Sequence, residues 1–460
     1  MNRPNLLCVE RVGWQLLKLL SLYLLTMNFE ESIYFLNSHI NRSLTREKID
    51  DSALDNMRIL AEAIGNPQSD FPTIHITGTN GKGSTSALIS KLLMSMGLNV
   101  GTYCSPHVSS ITERIQLNTE PISKEEFSEL VQHLKLATSM LNITPSWFEL
   151  MTAAAFECFA NNAVDVGVIE VGMLGRFDAT NIADAKVAVI TNVGYDHTDG
   201  KEGWKERLAW EKAGIIKTDT LLCLGEIDQE IERVILNEAS SKILRREIDF
   251  ACTENDLAVG GRHISVRIND VLYDNIFLSQ HGIHQGQNAA IALSGAQAFL
   301  GIEIPKQIVE ESFADISLPG RFEIISNEPL VILDGAHNPP GALAAAQTFQ
   351  SSFNLTGKRT LIVGMTEEKD ADWMLGNLNA STFDSIIATE ASVPGSMPSD
   401  QLAAVALNHS SNVIAHPNPE EALLEAMMSS GENDIIFGTG SMYLVGALRE
   451  ASQKLKSEQN

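Results

Sequence analysis

The chain has 460 residues, 44% hydrophobic, 20% charged and 6% aromatic, a globular composition with room for about three domains. Its 33 Lys and Arg stand against 58 Asp and Glu, a formal net charge of -25, which excludes a non-specific nucleic-acid binder and a basic membrane-surface protein. The cysteines Cys8, Cys104, Cys158, Cys223 and Cys252 are odd in number and never in C-x-x-C spacing, which argues against a disulfide scaffold or thiolate zinc site and for a reducing cytoplasm.

The run from Val12 to Leu25 is apolar apart from Gln15, Lys18 and Ser21, yet shorter than the about 20 residues a membrane span needs. Arg3 and Arg11 precede it as in a signal peptide, but no small-x-small cleavage site follows. Residues 1–26 are expected to be a non-native or disordered extension ahead of a start at Met27, with a weak interfacial helix as the alternative. From Phe29 onward short β-rich runs alternate with longer helical stretches, the α/β pattern. Near-continuous apolar runs predict buried parallel strands over Thr73–Thr77, Val166–Glu170 and Val187–Thr191. Helical spacing of Ala87, Leu88, Lys91 and Leu92 predicts a helix over Ser84–Met96, stopped at Gly97. After the turn residues Pro319-Gly320 a second series begins. Strands are predicted over Leu330–Leu333, Thr360–Val363, Ser385–Ala388 and Asp434–Phe437, with helices over Gly341–Phe349 and Pro419–Met428. Two doubly wound α/β domains are therefore expected, a larger one over 27–318 and a smaller Rossmann-like one over 319–460.

The most informative stretch is Thr77-Gly78-Thr79-Asn80-Gly81-Lys82-Gly83-Ser84-Thr85, between a predicted strand and a predicted helix. Glycines let backbone N–H groups approach phosphate oxygens, the helix N-terminus adds a favourable dipole, and Lys82 supplies a point charge. In the common P-loop pattern a glycine belongs where Ile76 stands, and Ser or Thr where Gly83 follows the lysine. Kinase-like and GTPase-like loops therefore fit poorly.

This variant loop resembles that of the Mur ligase superfamily, in its folylpolyglutamate synthase and dihydrofolate synthase branch. The resemblance runs from about Leu54 to Leu448 through Ser105-Pro106-His107, Glu113-Arg114, Phe148-Glu149, Glu170-Val171-Gly172 and Gly175 to Asn181. It continues through Thr191 to Thr198, Glu211-Lys212-Ala213-Gly214-Ile215, His284-Gln285 and Asn288-Ala289-Ala290. Pro319 to Glu323, Asp334 to Pro339 and Gly438-Thr439-Gly440-Ser441 complete it. Each motif is weak alone; in this order they are specific together.

The resemblance implies a cytoplasmic ATP-dependent acid–amino-acid ligase that adds L-glutamate to folates, and also to dihydropteroate if bifunctional, through an acyl phosphate. It implies Asn80, Gly81, Lys82, Gly83, Ser84, Asn288, Arg321 and Asp334 around ATP, with Lys82, Lys212 and His337 catalytic. Ser105, Glu170 and His197 are the implied Mg2+ ligands, the histidine being an unusual choice for an oxygen-preferring ion. Lys212 matches a lysine that is often carbamylated in the family; by itself it reads as a surface helix lysine paired with a glutamate. Met57, Arg58, Ser146, Trp147, Phe148, Glu149, Arg176, Phe177 and Asp178 occupy pterin-side positions, where Trp147 or Phe148 stacks on the ring or serves as core. Leu174 stands where relatives usually carry glycine, and the loop Val393-Pro394-Gly395-Ser396 lacks an arginine common in relatives. A monomer is expected, with no nucleic-acid or membrane partner. The competing readings are a ligase extending a UDP-sugar peptide, an inactive folate- or nucleotide-binding paralogue, and a generic P-loop ATPase. The Lys82-Gly83-Ser84 order and the lack of a uridine-binding domain before residue 73 count against the first, intact Lys82, Glu170, His197 and Arg321 against the second, and Ile76 against the third.

Overall fold

The computed structural model describes residues 27–40, 51–198, 200–238, 242–353 and 356–459. The expected extension and the alternative interfacial helix at 1–26 lie outside the described residues. Strands β1 (Thr73–Thr77), β2 (Val100–Tyr103), β3 (Ile115–Leu117), β4 (Glu120–Pro121), β5 (Val166–Glu170), β6 (Ala185–Asn192), β7 (Leu221–Glu226) and β8 (Ile243–Arg245) form one sheet. Its order is β4-β3-β2-β5-β1-β6-β7-β8, parallel except for the antiparallel edge β3–β4. Every residue of β1 and β5 is buried, which is why both read as unbroken strand-forming runs. The strand order reverses at β1, flanked by β5 and β6, and such a switch point opens a ligand crevice at the carboxyl ends of the strands.

Helices α1 (Phe29–Asn37), α2 (Asp55–Ala63), α3 (Lys82–Ser95), α4 (Lys124–Ser139), α5 (Trp147–Asn161), α6 (Trp204–Ala213) and α7 (Gln229–Leu236) belong to this part of the chain. α1, α4 and α5 share one core, where Phe127, Phe156, Phe159 and Met57 are fully buried. An antiparallel sheet of β9 (Phe250–Ala258), β10 (Gly261–Ile268) and β11 (Val271–Leu278) follows, with α8 (Ile283–Leu300) and α9 (Lys306–Ala314). Val266, Ile276, Leu278, Leu293 and Phe313 from this layer join Ile74, Ile89 and Val189 in one continuous core. No element expected from the sequence corresponds to this three-stranded sheet.

The third sheet contains β12 (Glu323–Asn327), β13 (Leu330–Asp334), β14 (Arg359–Val363), β15 (Ser385–Thr389), β16 (Val413–His416) and β17 (Ile435–Thr439), in the order β12-β13-β17-β14-β15-β16. Only β12 is antiparallel to its neighbour. Helices α10 (Pro339–Ser352), α11 (Ala371–Asn377), α12 (Ser399–Ala406), α13 (Pro419–Met428) and α14 (Met442–Gln459) supply its two cores. Asn338 caps α10 by accepting from Gly341 N, with Pro339 at the first position, where its missing N–H is harmless. The mixed α/β architecture is thus a P-loop-bearing sheet followed by a second α/β sheet. The two meet where Val108 O lies 2.0 Å from a Cβ built on Gly446, so that only glycine permits the approach. Beside it Arg449 donates to Ser109 Oγ at 3.2 Å.

Candidate active site

A cavity of about 1450 Å3 lies between the first and third sheets. Its floor is the turn from β1 into α3. A Cβ on Gly78 would stand 1.8 Å from Thr191 Oγ1, and one on Gly81, at φ 83, would stand 2.5 Å from Asn288 Oδ1. Thr191 Oγ1 and Asn192 Nδ2 donate to Asn80 O at 2.6 and 3.1 Å, and Asn80 N donates to Asn192 Oδ1 at 3.0 Å. The β6 end thus fixes the loop. Lys82 Nζ donates to Gly78 O and Thr79 O at 3.0 and 3.3 Å, so the ammonium lies over the loop it serves. This is a phosphate cradle with a lysine at a helix N-terminus.

Beside it Glu170, at the end of β5, is 3% exposed and accepts from Ser105 N at 3.1 Å. Burial raises its pKa, opposed chiefly by Lys82, Ser105 and Arg321. Among the described residues no group of three or more His, Cys, Asp or Glu is gathered to hold a metal ion. A carboxylate and the Ser105 hydroxyl suit a hard divalent ion that completes its shell with phosphate oxygens, so the residues present fit one with few protein ligands. His197 lines the same cavity at φ 53, its Nε2 3.7 Å from Asp196 Oδ2.

Asp196 is a hub between the two halves. Its Oδ1 accepts from Lys369 Nζ at 3.0 Å and its Oδ2 from Asn338 Nδ2 at 3.1 Å. Asn338 in turn exchanges amide hydrogen bonds with Asn80 of the phosphate loop at 3.2 and 3.0 Å. Burial alone would raise the Asp196 pKa; His197, His337 and Lys369 together hold it far below the usual carboxylate range. Tyr195 packs edge-on against Trp373, centroids 4.7 Å apart, reinforcing the same junction. Asp334 closes the third-sheet side: its carboxyl accepts from Ala336 N and Phe322 N, and burial raises its pKa against the pull of Arg321. His337 Nδ1 lies 2.9 Å from Gly335 O, and burial lowers its pKa.

The cavity takes in Asn80, Gly81, Lys82, Gly83, Ser84, Ser105, Ser146, Trp147, Phe148, Glu149, Glu170, Phe177, Asp178, His197, Asn288, Arg321, Asp334 and His337. Met57, Arg58, Arg176 and Lys212 stand elsewhere. Met57 is fully buried in the core, because it lies on the inward face of α2. Arg58 pairs with Asp55 at 3.3 Å, and Arg176 packs over Trp210 and bonds Glu238 at 2.7 Å. Both line a small separate pocket of about 230 Å3. Lys212, read alone as a surface lysine, is 3% exposed. Burial first, and then Lys82, lowers its pKa to about 7.

Ser146 and Glu149 form a capping box on α5: Ser146 N donates to Glu149 Oε2 at 2.6 Å and Glu149 N to Ser146 Oγ at 3.3 Å. Asp178 holds its own loop through Met173 N and Thr180 N. Leu174 adopts φ 61, a conformation that favours glycine, and its carbonyl accepts from Thr77 Oγ1 at 2.5 Å. The loop at Val393 to Ser396 stays outside the cavity lining; the cation its neighbourhood brings to the cleft is Lys369. Lys369, Asp196 and Arg114 line the cavity without being among the expected site residues, although Asp196 and Arg114 lie within the motifs Thr191 to Thr198 and Glu113-Arg114.

A nucleotide cradle on one sheet facing acidic and basic groups on a second α/β sheet defines an ATP-dependent ligase of the Mur type. The Mur ligase middle domain matches residues 76–296, and the Mur ligase, glutamate ligase domain, matches residues 320–442. The dihydrofolate synthase/folylpolyglutamate synthase of Mycobacterium tuberculosis is 34% identical over 383 residues, 77% of this chain and 78% of that protein. A solved structure of the Mycobacterium tuberculosis folylpolyglutamate synthase complexed with ADP superposes with a TM-score of 0.86 at 32% identity, covering 92% of this chain and 98% of that one. The bifunctional folylpolyglutamate synthase/dihydrofolate synthase solved with Mn, AMPPNP and L-glutamate bound gives a TM-score of 0.80 at 26% identity, covering 93% and 98%. The chain belongs to the dihydrofolate synthase/folylpolyglutamate synthase family, a family of ATP-dependent ligases.

Proposed function

We propose that this chain adds L-glutamate to the free carboxylate of folates, and to dihydropteroate, with ATP and Mg2+. The observation that carries the reading is one cavity shared by three walls: the Gly78–Ser84 cradle, the Arg321, Asp334 and His337 edge, and the aromatic face of Trp147, Phe148 and Phe177. Residues 27–318 act as the ATP-binding domain and 319–460 as the glutamate-ligase domain, in a cytoplasmic monomer. No described helix is long and apolar enough to cross a membrane.

Phosphoryl transfer to a carboxylate brings two anions together, so positioning and charge neutralisation dominate. Lys82 and the loop N–H groups hold the phosphates, Arg321 clamps them from the other domain, and Asn288 stands against the loop at Gly81. Glu170 and Ser105 hold the divalent ion, with His197 as a further ligand. When bound, that ion neutralises charge on the transferring phosphoryl group. His337, on the third-sheet edge of the cavity, is the residue assigned to accept the proton that the glutamate ammonium loses on becoming a nucleophilic amine. Attack of that amine on the acyl phosphate forms the amide and releases phosphate. Because the nucleotide touches both domains, closure completes the site and excludes water.

Lys212 is carbamylated in this reading. A buried lysine lowered to about 7 is about half free amine at neutral pH, and the free amine is the form that adds CO2. Intact mass at high bicarbonate is expected to show the added carboxylate; active protein without it contradicts carbamylation. The function itself is tested by omitting ATP, glutamate, dihydropteroate or tetrahydrofolate in turn and identifying products by mass spectrometry. Amide product is expected only with ATP, glutamate and a pterin present, and equal ATP turnover without any pterin overturns the proposal.

A further inference from the structure

Arg114 ends the short turn Ile111–Arg114 that leads into β3. It is 5% exposed, yet it lines the cavity. Its Nε donates to His107 Nδ1 at 2.9 Å, and its guanidinium carbon stands 4.8 Å from the Trp147 ring centroid, a cation–π contact, so the group is held from two sides. No carboxylate among the described residues pairs with it. Glu113, beside it in sequence, is held instead by the N–H groups of Val108, Ser109 and Ser110. Glu170 is bonded to Ser105 N. A buried cation is normally paired, and one whose outer nitrogens face a cavity without a protein anion implies that the ligand brings the anion.

Position narrows which anion. Arg114 stacks on the aromatic wall at Trp147 on one side and acts electrostatically on Glu170 and Tyr103 on the other. It therefore stands between the slot for a flat ring and the cradle where a carboxylate is activated. The phosphates already have Lys82 and Arg321 as their proposed partners in the same cavity. On the reading that folates are the substrate, the terminal glutamyl unit carries two carboxylates. The γ-carboxylate reacts and must stay free for phosphorylation. The α-carboxylate stays unreacted a few bonds away and needs a partner. A planar guanidinium, held by His107 and Trp147, matches it in a bidentate fork.

We propose that Arg114 is a specificity-determining residue that binds the non-reacting α-carboxylate of the glutamyl unit being extended. Dihydropteroate has only the reacting carboxylate and gains nothing from this contact. Arg114 thereby favours tail extension over the first glutamylation.

The test compares a tetrahydrofolate monoglutamate with its analogue in which γ-aminobutyrate replaces glutamate, which removes only the α-carboxylate. Both are assayed on wild type, Arg114→Gln and Arg114→Lys, with saturating ATP. In wild type, losing the carboxylate is expected to raise KM by about 10- to 100-fold, the worth of a charged bidentate hydrogen bond. In Arg114→Gln the two substrates are expected to agree within about 3-fold, with the KM for ATP unchanged. Arg114→Lys, which keeps charge but loses the fork, is expected to retain an intermediate discrimination. Equal KM values in wild type overturn the proposal without any variant, as does an undiminished penalty in Arg114→Gln. Wild type that turns over neither compound refutes the folate reading itself, a different outcome.

Discussion

Gly81 shows how much of the nucleotide site rests on one missing methyl group. Its φ of 83 is a left-handed conformation that disfavours alanine by about 1 kcal/mol. A Cβ there would also stand 2.5 Å from Asn288 Oδ1, too close for any real contact. Asn288 would have to move, breaking the hydrogen bond from its Nδ2 to Gln285 Oε1 at 2.9 Å, worth about 1 kcal/mol when buried. Gly81→Ala is therefore expected to destabilise by about 2 kcal/mol, a Tm loss of about 3 °C for a domain of this size. Because Asn288 is one of the proposed ATP contacts, the KM for ATP is expected to rise by about tenfold or more. Gly65→Ala is the control: its φ is 90, but nothing lies within 4 Å of an added Cβ. It should show only the conformational penalty of about 1 kcal/mol and no change in KM. Calorimetry and steady-state kinetics on both variants decide the matter. A Gly81→Ala protein with wild-type Tm and KM would refute the packing argument, and an equal KM effect in Gly65→Ala would refute the role given to Asn288.

The Asp196–Lys369 pair, 3.0 Å apart with side chains 7% and 16% exposed, should couple the domains. A double-mutant cycle of Asp196→Asn and Lys369→Met by urea unfolding is expected to give a coupling of about 1–3 kcal/mol, and additivity within about 0.5 kcal/mol would contradict the hub. His75 lies fully buried in β1, its Nε2 2.8 Å from Thr180 Oγ1, and burial first, then Lys217, lowers its pKa to about 3. The folded state thus keeps His75 neutral while the unfolded chain protonates it near 6.5, so stability falls as pH drops below 6.5. Between pH 7.5 and 5, wild type should lose about 2 kcal/mol more than His75→Gln; parallel pH profiles would exclude His75 as a source of acid lability.

Legibility followed physical range. β1 and β5 were read with their observed bounds because two-sided burial writes a continuous pattern into adjacent residues. The helix predicted from Ser84 begins at Lys82, since glycine at 81 and 83 hides a helix start that the tertiary fold enforces. The sheet β9–β11 was missed because β9 is mostly exposed or half-buried from Cys252 onward, so no unbroken apolar run marks it, although β10 buries six of its eight residues. The phosphate loop is local and was plain. Glu149 also had a local signature, Ser-x-x-Glu before an apolar run, whose structural meaning as a capping box is fulfilled alongside its place on the cavity wall. The Asp196–Lys369 pair spans 173 positions, and no one-dimensional pattern reports such a contact. Met57 and Lys212 show the same limit: which face of a helix turns inward is settled by what packs against it.

The central claim is that a substrate carboxylate is activated by ATP in the cleft between the two sheets. Transfer of label from an 18O-carboxylate folate substrate tests it most directly. During turnover with ATP and L-glutamate, the inorganic phosphate released should carry one 18O, because the carboxylate oxygen leaves with phosphate when the amine attacks. Phosphate free of label, with amide product formed at the same rate, would contradict the account.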